Sequence, residues 1–69
     1  MSAQEILDLE EEIELQEAQL VFCEFWTGVG QRGRTARDRE LVVYWTDEYA
    51  KHQQKKSEAI AALAAMKNP

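Results

Sequence analysis

The chain has few of the residues with which small proteins stabilise themselves. Its 69 residues include one cysteine, Cys23, so no disulfide can form within the chain. A structural zinc site needs about four Cys or His ligands, whereas this chain has only Cys23 and His52. A domain below ~70 residues rarely gains more than a few kcal/mol from its core. These absences favour stabilisation by a second copy of the chain.

Long hydrophobic runs are also missing. No stretch approaches the ~18 consecutive apolar residues that span a bilayer, and the first residues lack the positive and apolar segments of a secretion signal. The sequence therefore predicts a cytoplasmic chain without membrane contact. Hydrophobic residues nevertheless make up 45% of the chain, which is too much for a disordered tail.

Positive charge is absent from the first 26 residues, which contain eight acidic side chains. The arginines follow within residues 27–40, at Arg32, Arg34, Arg37 and Arg39. The whole chain has 13 acidic and 8 basic residues, so its formal net charge is −5. Four arginines neutralise few phosphates, and the acidic segment repels a nucleic-acid backbone. We therefore expect no direct nucleic-acid binding and favour a basic protein partner.

Two capping boxes predict where two helices begin, at Ser2-Ala3-Gln4-Glu5 and at Thr35-Ala36-Arg37-Asp38. We expect a single helical-hairpin domain over residues 1–69. Its first helix covers residues 2–26, a loop over 27–35 holds all three glycines, and its second helix covers 36–67.

Both predicted helices have apolar residues at heptad spacing, which is typical of a coiled-coil-like helical pair. The first seam consists of Ile6, Leu9, Ile13, Gln16, Leu20 and Cys23. The second consists of Val42, Trp45, Tyr49, His52, Lys56, Ala59, Leu63 and Met66. An antiparallel turn centred near Gln31 places Leu20 opposite Val42 and Ile13 opposite Tyr49.

On that register the second helix outreaches the first, and its apolar end overhangs into solvent. Leu63 and Met66 overhang on this register, and the apolar segment around them, with Ala59, Ile60, Leu63 and Met66, is expected to form a dimer interface. The predicted fold is all-α, an antiparallel helical hairpin that dimerises into a four-helix arrangement. One alternative remains open, because residues 21–26 and 41–46 are rich in β-branched and aromatic side chains and are compatible with a β-hairpin.

No constellation of residues indicates catalysis, a metal or a cofactor. Residues 28–33 match the dinucleotide fingerprint G-x-G-x-x-G, but no strand precedes them and no parallel βαβ unit surrounds them. A weaker role in holding a phosphate or carboxylate remains open for this segment. His52 and Cys23 occupy seam positions and are expected to be packed. We therefore expect a protein that is not an enzyme.

Aromatic residues and arginines concentrate near the predicted loop. Consecutive helical residues differ by ~100°, so neighbouring aromatic residues cannot all enter one seam. Trp, Tyr and Arg dominate binding hot spots, because they gain much free energy when they are desolvated. The candidate partner-binding residues are Trp26, Arg37, Arg39, Tyr44, Trp45 and Tyr49. Whether Trp45 belongs to the core or to the binding surface stays open at this point.

The chain resembles the small anti-activators that Mu-like Pseudomonas phages make early in infection. The resemblance rests on the length, the acidic segment from Ser2 to Trp26, the glycine segment and the stretch from Arg37 to Tyr49. It implies a homodimeric helical hairpin in the host cytoplasm. It also implies two host targets, a LuxR-type quorum-sensing activator such as LasR, whose DNA binding is blocked, and the ATPase of type IV pilus assembly, with less twitching and superinfection.

Two other classes of function are compatible with the same residues. A helical hairpin also suits a structural phage protein, such as a connector or an assembly scaffold. The third hypothesis is nucleic-acid binding through Arg32, Arg34, Arg37 and Arg39, against which the acidic segment argues.

Overall fold

The computed structural model describes residues 3–67, which form two long antiparallel helices. Helix α1 covers Ala3–Arg32 and helix α2 covers Ala36–Lys67, and residues 33–35 join them. The hairpin measures 51 × 14 × 11 Å, so it is a rod one helix pair wide. The predicted all-helical hairpin is confirmed. Within residues 3–67, neither helix contains a stretch apolar enough to cross a membrane.

The alternative β-hairpin over residues 21–26 and 41–46 is wrong, because both segments are helical throughout. Their β-branched and aromatic side chains lower helix propensity by only tenths of a kcal/mol each. Packing along a heptad seam outweighs so small a preference.

Helix α1 continues six residues beyond its predicted end at Trp26, so the predicted loop over 27–35 is wrong for most of its length. All three glycines have ordinary negative backbone angles. Gly30 is buried where the helices come closest: a Cβ atom there would lie 2.9 Å from Val42 Cγ2 and 3.0 Å from the Asp38 carbonyl oxygen. Gly30 therefore permits close packing and does not end the helix. Because Gly28 and Gly30 lie inside a helix, their amides are not arranged as a phosphate-binding loop.

The predicted capping box at the start of α2 is confirmed. The Asp38 amide donates to Thr35 Oγ1 at 3.1 Å, and the Thr35 amide donates to Asp38 Oδ2 at 3.0 Å. The Thr35 hydroxyl also donates to Asp38 Oδ2, at 2.7 Å. These bonds satisfy amides that have no partner inside the helix. The other predicted capping box depends on Ser2, which lies outside the described residues.

The register differs from the prediction because the turn comes later in the chain. Gln16 Oε1 lies 2.5 Å from His52 Nδ1, and Arg34 is midway between these residues. Val42 accordingly contacts Gly30, so the predicted pairing of Val42 with Leu20 is wrong.

With a later turn, the two helices are nearly equal, at 30 and 32 residues. The predicted overhang of α2 is therefore wrong. Lys67 Nζ, at the last residue of α2, lies 3.8 Å from Glu10 Oε1, so the end of α2 lies alongside α1.

The predicted heptad seams are confirmed as the inward faces of the helices. Gln16, Leu20, Cys23 and Ala59 are buried, and the remaining seam residues are half-buried. The seam of α1 extends further than predicted, through half-buried Thr27 to buried Gly30. Two helices alone produce only a narrow core, and most large side chains keep part of their surface in water.

Gly28 and Gly30 provide a matched pair of substitutions. We expect Gly28→Ala to raise the free energy of unfolding by about 1 kcal/mol, because a Cβ there meets nothing within 4 Å and alanine favours the helix. Gly30→Ala should lower it by about 1–3 kcal/mol through the clash with Val42. Urea unfolding followed by circular dichroism measures both. Equal effects of the two substitutions would contradict the helical placement of this segment.

The cap at α2 should also be sensitive to pH. The hydrogen bonds from Thr35 hold the pKa of the Asp38 carboxyl below its ordinary value of 3.8. A carboxyl with a lowered pKa stabilises the fold above its unfolded pKa, and this contribution is lost as the pH falls through the folded pKa. Wild type should therefore be more stable than Asp38→Asn at pH 7, and the difference should shrink as the pH falls through the lowered pKa of Asp38. If the difference in the free energy of unfolding between wild type and Asp38→Asn does not change with pH, the charged cap is ruled out.

Candidate protein-binding surface

Five aromatic side chains form one continuous group near the turn end of the rod. We call this group the aromatic cluster; it consists of Phe22, Phe25, Trp26, Tyr44 and Trp45. The Trp26 and Trp45 rings are stacked, with centroids 6.4 Å apart and planes 19° apart. The other ring contacts are edge-to-face, including Phe22 to Trp45 at 5.3 Å and Tyr44 to Trp45 at 4.9 Å. Such pairs are each worth about 0.5–1.5 kcal/mol beyond the area they bury.

The cluster forms because both helices carry aromatic residues beside their seams at the same level of the rod. Phe22 and Trp26 are one helical turn apart on α1, with ring centroids 6.1 Å apart. Trp45 is a seam residue of α2 and contacts both of them, while Tyr44 extends the group outwards. Trp45 therefore belongs both to the seam and to the cluster.

The members of the cluster differ in how much of each side chain is exposed to solvent. Trp26 and Trp45 are half-buried, whereas Phe22, Phe25 and Tyr44 are 49%, 59% and 55% exposed. The two indoles thus form the inner part of the cluster and the other three rings face solvent. Trp26 Nε1 is buried and has no hydrogen-bond partner among the described residues. Leaving such a donor unpaired costs about 1–3 kcal/mol, which the ring packing must offset.

One of the predicted arginines shares a groove with one ring of the cluster. Arg39 and Tyr44 line the same shallow groove on α2, of about 590 Å³, together with Ala36, Glu40, Val43 and Asp47. Arg37 is exposed near the turn and does not line this groove. Trp26, Tyr44 and Trp45 are therefore brought together, whereas Arg39 shares a groove with Tyr44 but with neither tryptophan.

Tyr49 belongs to a different surface. It is half-buried and lines a second groove of about 350 Å³ with Glu24, Thr27, Gly28, Gln31 and Thr46. Thr46 follows Tyr44 by two residues, a rotation of about 200° around α2. This groove and the aromatic cluster consequently lie on opposite sides of the seam.

The polar residues of the seam form a hydrogen-bonded layer at mid-height. Gln16 Nε2 donates to Glu12 Oε1 at 2.8 Å, so its Oε1 is free to accept from His52 Nδ1. His52 Nε2 lies 3.8 Å from Glu48 Oε2. The histidine is held between two side chains and packs within the seam.

Cys23 and the acidic side chains show no arrangement for chemistry in the described part of the chain. Cys23 is 1% exposed, and burial, with a smaller effect from Glu48, raises the pKa of its thiol. A thiol kept protonated in this way is a poor nucleophile. Within residues 3–67, no three His, Cys, Asp or Glu side chains come together as metal ligands do.

The four residues predicted for a dimer interface have different environments. Ala59 is buried by the hairpin itself, Leu63 and Met66 are half-buried, and Ile60 is 46% exposed. The hairpin therefore already covers much of the surface that the predicted overhang would have exposed.

The predicted set of binding residues does not include Phe22 and Phe25 of the aromatic cluster, or Glu24, Gly28 and Thr46 of the second groove. A signal for Phe22 was present, because it follows Leu15 by seven residues in a second apolar row on α1. Leu15 is 51% exposed, so this row lies outside the seam. No comparable pattern indicates the groove, because glycine-rich segments are typical of loops.

No protein-family profile, curated protein or solved structure matches this chain.

Proposed function

We propose that the chain is a non-enzymatic inhibitory protein that binds host proteins through the aromatic cluster and acts as a homodimer. The observation that carries this proposal is the exposure of Phe22, Phe25 and Tyr44 around a stacked tryptophan pair, with Arg39 in the groove that Tyr44 lines. Aromatic and arginine side chains at one place are the composition of a binding hot spot. Adjoining exposed apolar side chains indicate an interaction site.

The energetics favour a protein partner for this surface. Each exposed ring leaves roughly 100 Å² in water, and its burial is worth about 2 kcal/mol. The rings are already held by contacts with one another, so little side-chain freedom remains to be lost on binding. The cluster is thus suited to supply most of the affinity of a complex.

Charge defines the partner further. Residues 1–26 carry eight acidic side chains and no basic one, and most of them are exposed. A basic partner is attracted by this field before contact, which raises the association rate at low salt. The DNA-binding domain of a transcription factor has such a basic surface. When it is covered by an acidic helix, it can no longer bind DNA.

The resemblance to phage anti-activators gives the specific form of the proposal. On that basis the partners are a LuxR-type activator such as LasR, whose DNA binding is prevented, and the ATPase of type IV pilus assembly, in the host cytoplasm. The acidic α1 and the aromatic cluster support the first partner through charge and burial. The second partner rests on the resemblance.

The proposed homodimer is supported by the surface area of the hairpin. The chain exposes 5168 Å², whereas a globular protein of 8.0 kDa exposes about 4,450 Å². The excess approaches the ~800 Å² that each partner buries in a stable interface. Leu7, Leu15, Val21 and Ile60 are each about half-exposed or more. A four-helix arrangement of two hairpins would cover such side chains.

A structural role as a connector or scaffold is the second candidate. It is favoured by the exposure of large apolar side chains towards both ends of the rod, with Leu7 at one end and Val43 at the other. Contacts between unlike ends do not close and produce longer assemblies.

The binding surface is tested by substitution in a pull-down from the host, followed by titration with the protein that is captured. Tyr44→Ala and Arg39→Ala should each weaken binding at least tenfold, because both residues line the same groove beside the cluster. Arg34→Ala is the matched control, since Arg34 is exposed outside this groove. Equal weakening by Arg34→Ala would instead indicate a diffuse charge effect or nucleic-acid binding.

The homodimer is tested by light scattering at micromolar concentration. We expect twice the mass of the 8.0 kDa chain. A well-folded monomer would contradict the proposal. Larger assemblies that grow with concentration would favour the scaffold.

A further inference from the structure

A row of carboxylates follows one edge of α1. Glu10, Glu17 and Glu24 are seven residues apart and therefore share one side of the helix. The first two lie opposite lysines of α2. Lys67 Nζ is 3.8 Å from Glu10 Oε1, and Lys56 Nζ is 3.6 Å from Glu17 Oε1. Two of the three carboxylates thus have a cation from the neighbouring helix.

Glu24, the third carboxylate of this row, faces a groove. The α2 residues that line the groove with it are Thr46 and Tyr49. Among residues 3–67, no lysine or arginine forms an ion pair with Glu24. At this position the row therefore has a carboxylate beside an open volume of about 350 Å³. It has no paired cation from the described part of α2.

The shape of the groove results from Gly28. A Cβ atom at this position would meet nothing within 4 Å, so the missing side chain leaves space on the surface of α1. The hydroxyl-bearing residues Thr27, Thr46 and Tyr49 line the groove, and Tyr49 is half-buried. Such a lining matches a ligand that has an elongated apolar stem and a cationic end. The volume lies at the lower end of the range for small-molecule sites.

We propose that this groove binds the side chain of an arginine supplied by a basic partner protein. The inference rests on the proposed function as a host-binding protein and specifies one further contact. The carboxylate of Glu24 accepts two hydrogen bonds from the guanidinium, the aliphatic stem lies along Gly28, and the ring of Tyr49 contacts the planar cation. Arginine suits the groove better than lysine because its planar fork matches a carboxylate and is less strongly hydrated.

The groove is separate from the aromatic cluster, on the other side of the seam. Binding of a small probe to it can therefore be measured without any partner protein. A suitable probe is N-acetyl-arginine methylamide, and the matched control is the citrulline analogue, which has the same shape without the charge.

The experiment is a titration of the isotopically labelled chain with each probe, followed by two-dimensional NMR. We expect the arginine probe to shift the amide signals of Gly28 and Thr46 with a dissociation constant on the order of 1 mM. Glu24→Gln should weaken this binding at least fivefold, and Gly28→Met should abolish it by filling the groove. Glu14→Gln, which removes the same charge from an exposed residue outside the groove, should leave it unchanged.

Three results would overturn the proposal. They are equal binding of the citrulline probe, equal or tighter binding of a third probe, N-acetyl-lysine methylamide, and unchanged binding of the arginine probe in Glu24→Gln. Retention of the helical circular dichroism by Gly28→Met separates a filled groove from an unfolded chain. If Gly28→Met does not fold, Glu24→Gln decides the outcome by itself.

The same variants separate this inference from the proposed function. If Tyr44→Ala weakens binding of the captured host protein while Glu24→Gln has no effect on that protein or on the arginine probe, the groove proposal fails and the proposed function stands. If the arginine probe binds as expected but neither variant weakens binding of the captured protein, the groove is a guanidinium site and the proposed function fails.

Discussion

The alignment of the two helices depends on the hydrogen bond between Gln16 and His52. Gln16 is 4% exposed, so a shift of one helix along the other would leave its amide oxygen buried without its partner His52. A polar pair inside a heptad seam specifies register in this way, at some cost in stability. The close approach of Gly30 to Val42 also favours this register at the turn end, because a Cβ atom at residue 30 would be too close to Val42. Together these two contacts determine which residues of α1 face which residues of α2.

Both candidate surfaces follow from this alignment. Trp26 meets Trp45 because the later turn brings the aromatic residues of both helices to one level. On the other side of the seam, the same alignment places Glu24 beside Tyr49. A two-helix rod cannot bury all of these side chains, since its cross-section is only 14 × 11 Å. The apolar surface that remains exposed is then available for other proteins.

The acidic charge of α1 has two uses in this arrangement. Along one edge, Glu10 and Glu17 attract Lys67 and Lys56 of α2. Exposed pairs of this kind are worth at most about 1 kcal/mol each, so they support the antiparallel orientation more than the stability. The remaining carboxylates give the rod a field that attracts basic proteins over a range of ~8–10 Å at physiological salt. On the proposed function, charge raises the rate at which a partner arrives, and burial of aromatic rings slows its release.

The sequence by itself determined the two helices, their heptad seams and the cap at Thr35, because periodicity and capping are local properties that neighbouring residues encode. It also indicated Trp26, Tyr44 and Trp45 as candidates for binding. The end of α1, the register and the surfaces were decided by the tertiary structure. Glycines in the sequence suggested a loop, but Gly30 is required by the nearby helix α2, a contact between residues distant in the chain. Moving the turn by three residues changes every pairing across the seam. No local sequence pattern specifies the position of the turn to that accuracy.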